Sequence, residues 1–140
     1  RDNKTLIFAS RKGTCETVSN ALWAKGAEAD CIHGDREQWQ RTAVLDKFRC
    51  SALKTMVATD VAARGLDVKD INTVINYDFP TSGVEDYVHR IGRTGREGGV
   101  VGTAITLFTP GDARFAHDLI GILSDAKQEV PGLLRQLDDG

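Results

Sequence analysis

Between Tyr87 and Arg96 the chain reads Tyr-Val-His-Arg-Ile-Gly-Arg-Thr-Gly-Arg, so that guanidiniums recur at every third position from Arg90 with glycines among them. A guanidinium presents planar donors that match the oxygens of a phosphate, and two of them at a helix end can clamp one. Read as a helix from Val84, the segment sets Val84, Tyr87, Val88 and Ile91 on one stripe at the spacing of a core-facing side. His89, Arg93 and Arg96 point away from that stripe, so packing does not call for them there. Gly92 and Gly95 each weaken a helix by about 1 kcal/mol relative to alanine, which predicts a loosening into a loop around Arg96. A bare Arg-x-x-Arg would read as a solvated basic helix end; the full ten-residue string is far more specific.

Two further segments carry polar side chains at fixed offsets. Val57 to Asp67 reads as a strand entering a polar turn, with Thr59, Asp60, Arg64, Gly65 and Asp67 at its carboxyl end. Open parallel sheets bind ligands at that end of their strands. Asp60 can cap a short helix over Val61 to Ala63, which leaves Arg64-Gly65-Leu66-Asp67 without a structural reason. His33 to Arg41 leads into a helix whose Leu45 and Phe48 share a face with Gln38 and Arg41, so an apolar stripe turns polar in its first turn. Arginine at a helix start is usually a surface residue, but free amides and the helix dipole there also favour an anion.

The elements that must position these groups are legible as a repeating pattern. Five β-rich runs, Thr5 to Ala9, Ala29 to His33, Lys54 to Ala58, Thr73 to Asn76 and Thr103 to Phe108, predict strands. Helical periodicity lies between them, as with Cys15, Val18 and Leu22 before Gly26, where Thr14 is the expected N-cap and Gly26 the expected stop. Alternation of this length predicts an α/β fold, a parallel sheet with helices on both faces in three layers. After Pro110 a helical run through Leu123 and a short segment around Leu133, Leu134 and Leu137 close the chain. At 140 residues the expectation is one domain spanning 1–140, and the abrupt start at Arg1 suggests a piece of a longer chain.

Composition bounds the function. Apolar residues at 41% and charged residues at 27% exclude disordered, collagen-like and membrane classes. With a net charge of −2 there is no global basic field, so any nucleic-acid contact must come from a local cluster. Cys15, Cys31 and Cys50 form no C-x-x-C pair, which predicts reduced thiols, no metal site and an intracellular setting, nucleus or cytoplasm. No window reaches the roughly 18 apolar residues of a membrane span.

Taken together, the three segments resemble motifs of superfamily 2 helicases, and in this spelling the DEAD-box ATP-dependent RNA helicases: Tyr87 to Arg96 resembles motif VI, Val57 to Asp67 motif V, and His33 to Arg41 the H-G-D and Q-x-x-R element. Leu6 to Ser10 resembles motif IV, although Arg11-Lys12-Gly13 follows where the family more often has threonine and a basic pair; a phosphate contact at this loop would fall to Arg11 or Lys12. Val74 to Pro80 also matches the family pattern, and the resemblance runs nearly the whole chain in the correct order.

The resemblance implies the second, C-terminal RecA-like domain of such an enzyme. It implies that Arg93 and Arg96 face the γ-phosphate of ATP, with Arg96 as arginine finger, and that Gly65 and Asp67 belong to the ATP site, Asp67 through a ribose contact. Arg64 and His89 would couple the two domains, while Gly34, Gln38, Arg41 and Thr59 would hold the RNA backbone. No G-x-x-x-x-G-K-[ST] loop or Asp-Glu-Ala-Asp string occurs, so ATP and magnesium are expected to be bound mainly by an N-terminal RecA-like domain, with the isolated domain a monomer, inactive alone and holding no cofactor of its own. RNA, that N-terminal domain and helicase cofactor proteins are the expected partners, with no membrane. Weighed against this are a non-catalytic module that docks RNA or protein, a DNA-directed superfamily 2 helicase, and a dinucleotide-binding module, the last disfavoured because no G-x-G-x-x-G follows the first strand.

Overall fold

The computed structural model describes residues 4–64, 66, 68, 70–93, 102–126 and 128–139. Five strands, β1 (Lys4–Phe8), β2 (Asp30–Ile32), β3 (Thr55–Ala58), β4 (Ile71–Asn76) and β5 (Thr103–Thr106), form one sheet in the order β2-β3-β1-β4-β5. Every pairing is parallel. Parallel neighbours require crossovers, and helices α1 (Lys12–Ala24), α2 (Gln38–Arg49), α3 (Asp60–Ala63) and α4 (Val84–Ile91) lie in the connections. A 3-10 turn (Pro110–Phe115) then leads into α5 (Ala116–Asp125) and α6 (Gly132–Asp139).

Period-two alternation in the strands separates two cores. Leu6, Phe8, Met56, Ala58 and Val74 meet Val44 and Phe48 of α2 on one face. Ile7, Ala9, Cys31 and Val57 meet Cys15 and Val18 of α1 on the other. The three layers expected from the strand–helix alternation are therefore present. A third cluster gathers Phe79, Tyr87, Ala116, Leu119 and Leu134, with the Phe79 ring 5.5 Å from Tyr87, 5.2 Å from Phe108 and 5.1 Å from Phe115. It fastens α4 to the C-terminal helices.

Register matters most for function. Phe8 is level with Ala58 on one side and Asn76 on the other, and Ala58 is level with Ile32. Four strands thus end together, and the residues that follow, Ser10, His33, Thr59 and Asp78, emerge along one rim.

Local expectations were met unevenly. Gly26 adopts φ +88 just past the end of α1, its amide bonded to the Trp23 carbonyl, as a left-handed helix stop requires. Thr14 is not the N-cap: α1 starts at Lys12 from an extended Arg11, with no side-chain cap, and the first turn closes on the Arg11 carbonyl through Cys15 N at 3.1 Å. The last strand stops at Thr106 rather than Phe108, because Phe108 turns into the third cluster. Among the described residues, no helix is long and apolar enough to cross a membrane.

Candidate functional site

Arg90 organises the rim. It belongs to α4, yet it is 1% exposed, and all five of its donors are engaged. Nε and NH2 grip the two Asp60 oxygens at 2.7 and 2.8 Å, NH1 reaches the Asp78 carbonyl at 2.6 Å and Asn76 Oδ1 at 3.3 Å, and NH2 also donates to Ser10 Oγ at 3.2 Å. Asp78 in turn accepts from the Ser10 amide and hydroxyl. One guanidinium therefore ties the exits of β1, β3 and β4 together, lying 5.3 Å from the Phe8 ring centroid.

The predicted core stripe of α4 is corrected by this arrangement. Tyr87 is buried and Val84 and Ile91 are partly so, but Val88 is 42% exposed, and the place inside is taken by Arg90. The signal was present, since Arg90 stands three residues after Tyr87 and so shares its face. The expected capping role of Asp60 is corrected too. Thr59 caps α3, accepting from Ala62 N at 3.4 Å, and Asp60 is the first helical residue, its carboxylate turned to Arg90.

Beside this knot lies a cleft of about 300 Å³ whose lining includes Asp60, Arg64, Asp86, His89 and Arg93. The structure thus brings together Arg64, His89 and Arg93. Arg93 donates to the Leu66 carbonyl at 3.2 Å, which holds the end of α4 against the segment after α3. His89 is largely exposed, with Nδ1 3.7 Å from Asp86. Gly65, Asp67 and Arg96 lie outside the described residues.

A second cleft of about 260 Å³ opens on the other side of α3, with Gly34, Gln38, Arg41 and Thr42 facing Leu45, Val61 and Ala62. Arg41 donates to Gln38 Oε1 at 2.7 Å, and Gln38 donates on to Thr42 at 3.3 Å. No carboxylate among the described residues pairs with Arg41, so its charge is available to an incoming anion. Glu37 caps α2 reciprocally with Gln40, which fixes the first turn that carries these side chains. The structure thus brings Gly34, Gln38 and Arg41 to one cleft. Thr59 does not join them: it lines neither cleft and is 8% exposed.

The loop bearing Gly34 is anchored from behind. His33 is buried; its Nδ1 accepts from Asp35 N at 3.2 Å, which leaves Nε2–H to donate to Glu16 at 2.7 Å. That bond holds the Glu16 carboxyl below its ordinary range. Burial pushes the neighbouring Cys31 thiol up to about 12 and the Cys15 thiol up to about 11, so both are inert core groups. Glu16, Cys31 and His33 approach one another closely, and with both ring nitrogens engaged they form a hydrogen-bonded brace between α1 and the exit of β2.

Residues 1–98 match the family model of the helicase conserved C-terminal domain. The ATP-dependent RNA helicase DBP2 of Candida albicans is 54% identical over 138 residues, which cover 99% of this chain and 24% of that protein. Among solved structures, the RNA-helicase Prp28 from Chaetomium thermophilum bound to ADP superposes with a TM-score of 0.82 at 37% identity, covering 96% of this chain and 33% of that one. The yeast DEAD-box splicing factor Prp28 gives 0.87 at 28% identity, covering 99% and 31%. The chain spans about a quarter of the length of the curated relatives it matches.

Proposed function

The chain belongs to the helicase conserved C-terminal domain family, in its DEAD-box branch with the RecA-like fold, and from that premise we propose that it is the closing half of an ATP-dependent RNA helicase. In this reading a preceding RecA-like domain binds ATP and magnesium. Closure then brings Arg93 and Arg96 to the γ-phosphate, Gly65 and Asp67 to the nucleotide's ribose side, and Arg64 and His89 to the domain interface. The observation that carries the reading is the assembly of Arg64, His89 and Arg93 in one cleft at the carboxyl rim of the sheet, where this architecture places ligands.

The RNA side follows from the second cleft. Among the described residues no hydrogen bond occupies the Gly34 amide and no carboxylate pairs with Arg41, whose guanidinium Gln38 positions. Thr59 supports the rim as the α3 cap rather than as a lining group, so its contact with RNA would follow an opening of that cap. Contacts of this kind address phosphates and sugars and give little sequence preference. Bending of the bound strand on closure would separate short duplexes locally.

In the full-length protein, Arg41→Ala should weaken single-stranded RNA binding and reduce the slope of log affinity against log salt by about 0.7, the loss of one phosphate contact. An unchanged slope removes Arg41 from that contact. Competition between RNA and DNA oligonucleotides separates this reading from a DNA-directed relative. RNA-stimulated ATP hydrolysis by the full-length protein is required as well; RNA binding without hydrolysis would indicate a docking module.

A further inference from the structure

The chain has two tryptophans, Trp23 and Trp39, and both are more than half exposed. Trp23 has a structural reason to stand where it does: its indole N–H donates to the Ala29 carbonyl and ties the end of α1 to the approach of β2. The side chain of Trp39 is 69% exposed and makes no hydrogen bond or ring contact among the described residues. It occupies the second position of α2, and Thr42 of the Gly34–Arg41 cleft follows three residues later, so the two are neighbours on the helix surface. Val44 and Phe48 mark the core face of this helix, and Trp39 lies on the opposite side. The reciprocal cap of Glu37 and Gln40 fixes the turn that carries it. A large apolar ring is thus held in water at the lip of the cleft.

We propose that Trp39 is a stacking platform for one base of the single strand whose backbone lies in that cleft. This role rests on the reading of the cleft as an RNA site, and it adds a contact to a base where that reading has contacts to phosphates and sugars alone. A strand that turns its phosphates to Gly34 and Arg41 turns its bases away from the cleft floor, toward the lip where the indole stands. Tryptophan offers a broad flat face with only two torsions to fix, and every base has a π-face to match it. Covering that face also removes apolar surface from water. The contact is uncharged and releases no counterions, so it adds affinity without adding salt dependence. Arg41 and Trp39 therefore carry different signatures in one experiment.

The test uses the full-length protein with a labelled oligouridylate and a non-hydrolysable ATP analogue, titrated across a salt series. Trp39→Ala should lower RNA affinity about tenfold, within the range of one base–aromatic stack, with the slope of log affinity against log salt unchanged. Trp39→Phe should recover most of the loss. A strand of abasic sugar-phosphate units should bind the parent and Trp39→Ala equally, since it has no base to stack. If Trp39→Ala binds oligouridylate like the parent while Arg41→Ala is impaired, the proposal falls and the RNA cleft stands. If neither substitution has an effect, the cleft assignment falls and takes this inference with it. A loss that persists on the abasic strand, or that comes with a matching drop in thermal midpoint, would make Trp39 a structural support and overturn the proposal.

Discussion

Replacing Arg96 by alanine in the full-length protein should lower the RNA-stimulated rate of ATP hydrolysis by roughly 10³ to 10⁵, the range that arginine fingers supply in nucleotide hydrolases. That corresponds to about 4 to 7 kcal/mol of transition-state stabilisation. On the proposed reading the size follows from where the charge would develop: a transferring phosphoryl group spreads negative charge over its outer oxygens, and a planar cation brought in by closure would stabilise it. Arg96→Lys should recover little, since an ammonium cannot reproduce a bidentate fork. RNA and nucleotide binding should persist in both variants, as should the circular dichroism spectrum. Turnover within threefold of the parent would remove Arg96 from the catalytic role.

Replacing Arg90 by alanine should cost about 3 to 5 kcal/mol of folding stability, because it leaves the partners of a buried ion pair without their counter-charge. A domain of this kind has only about 5 to 15 kcal/mol to lose. Five acceptors on three strand exits would lose their donor, and Asp60 and Asp78 would face each other with no cation between them. Arg90→Lys should be nearly as damaging, for one ammonium has three donors where five are used. Equilibrium urea unfolding measures the loss; a change below about 1 kcal/mol would show that the knot contributes no more than an exposed pair does.

Much of the architecture was legible in the sequence, for a physical reason. All five strands begin and end within two residues of runs such as Thr5 to Ala9 and Lys54 to Ala58, where β-branched and apolar side chains fill both faces of a buried parallel sheet. Gly26 announced a helix stop because only a positive φ fits there. Arg90 was missed because its partners lie 80, 30 and 14 residues away, at Ser10, Asp60 and Asn76. A helical wheel sees a charged residue and turns it to solvent; it has no knowledge of acceptors arriving from other strands. The same long range explains Asp60, which local rules assign to capping while the folded chain uses it as the guanidinium's seat. Gly34, Gln38 and Arg41 could be grouped from the sequence because two of them share one helical turn and the third lies four residues before it. Thr59 followed the family pattern onto the rim, but local capping chemistry turned its hydroxyl inward.

The single turn α3 is a party wall. Asp60, Ala63 and Arg64 face one cleft, while Val61 and Ala62 face the other. A four-residue helix is too short to flex between its two sides, so any tilt that improves the fit of a ligand in one chamber changes the shape of its neighbour. If both clefts take ligands as proposed, such a tilt would make occupancy on the two sides a shared free energy, and thermodynamic reciprocity would then require each ligand to alter the other's affinity by the same factor.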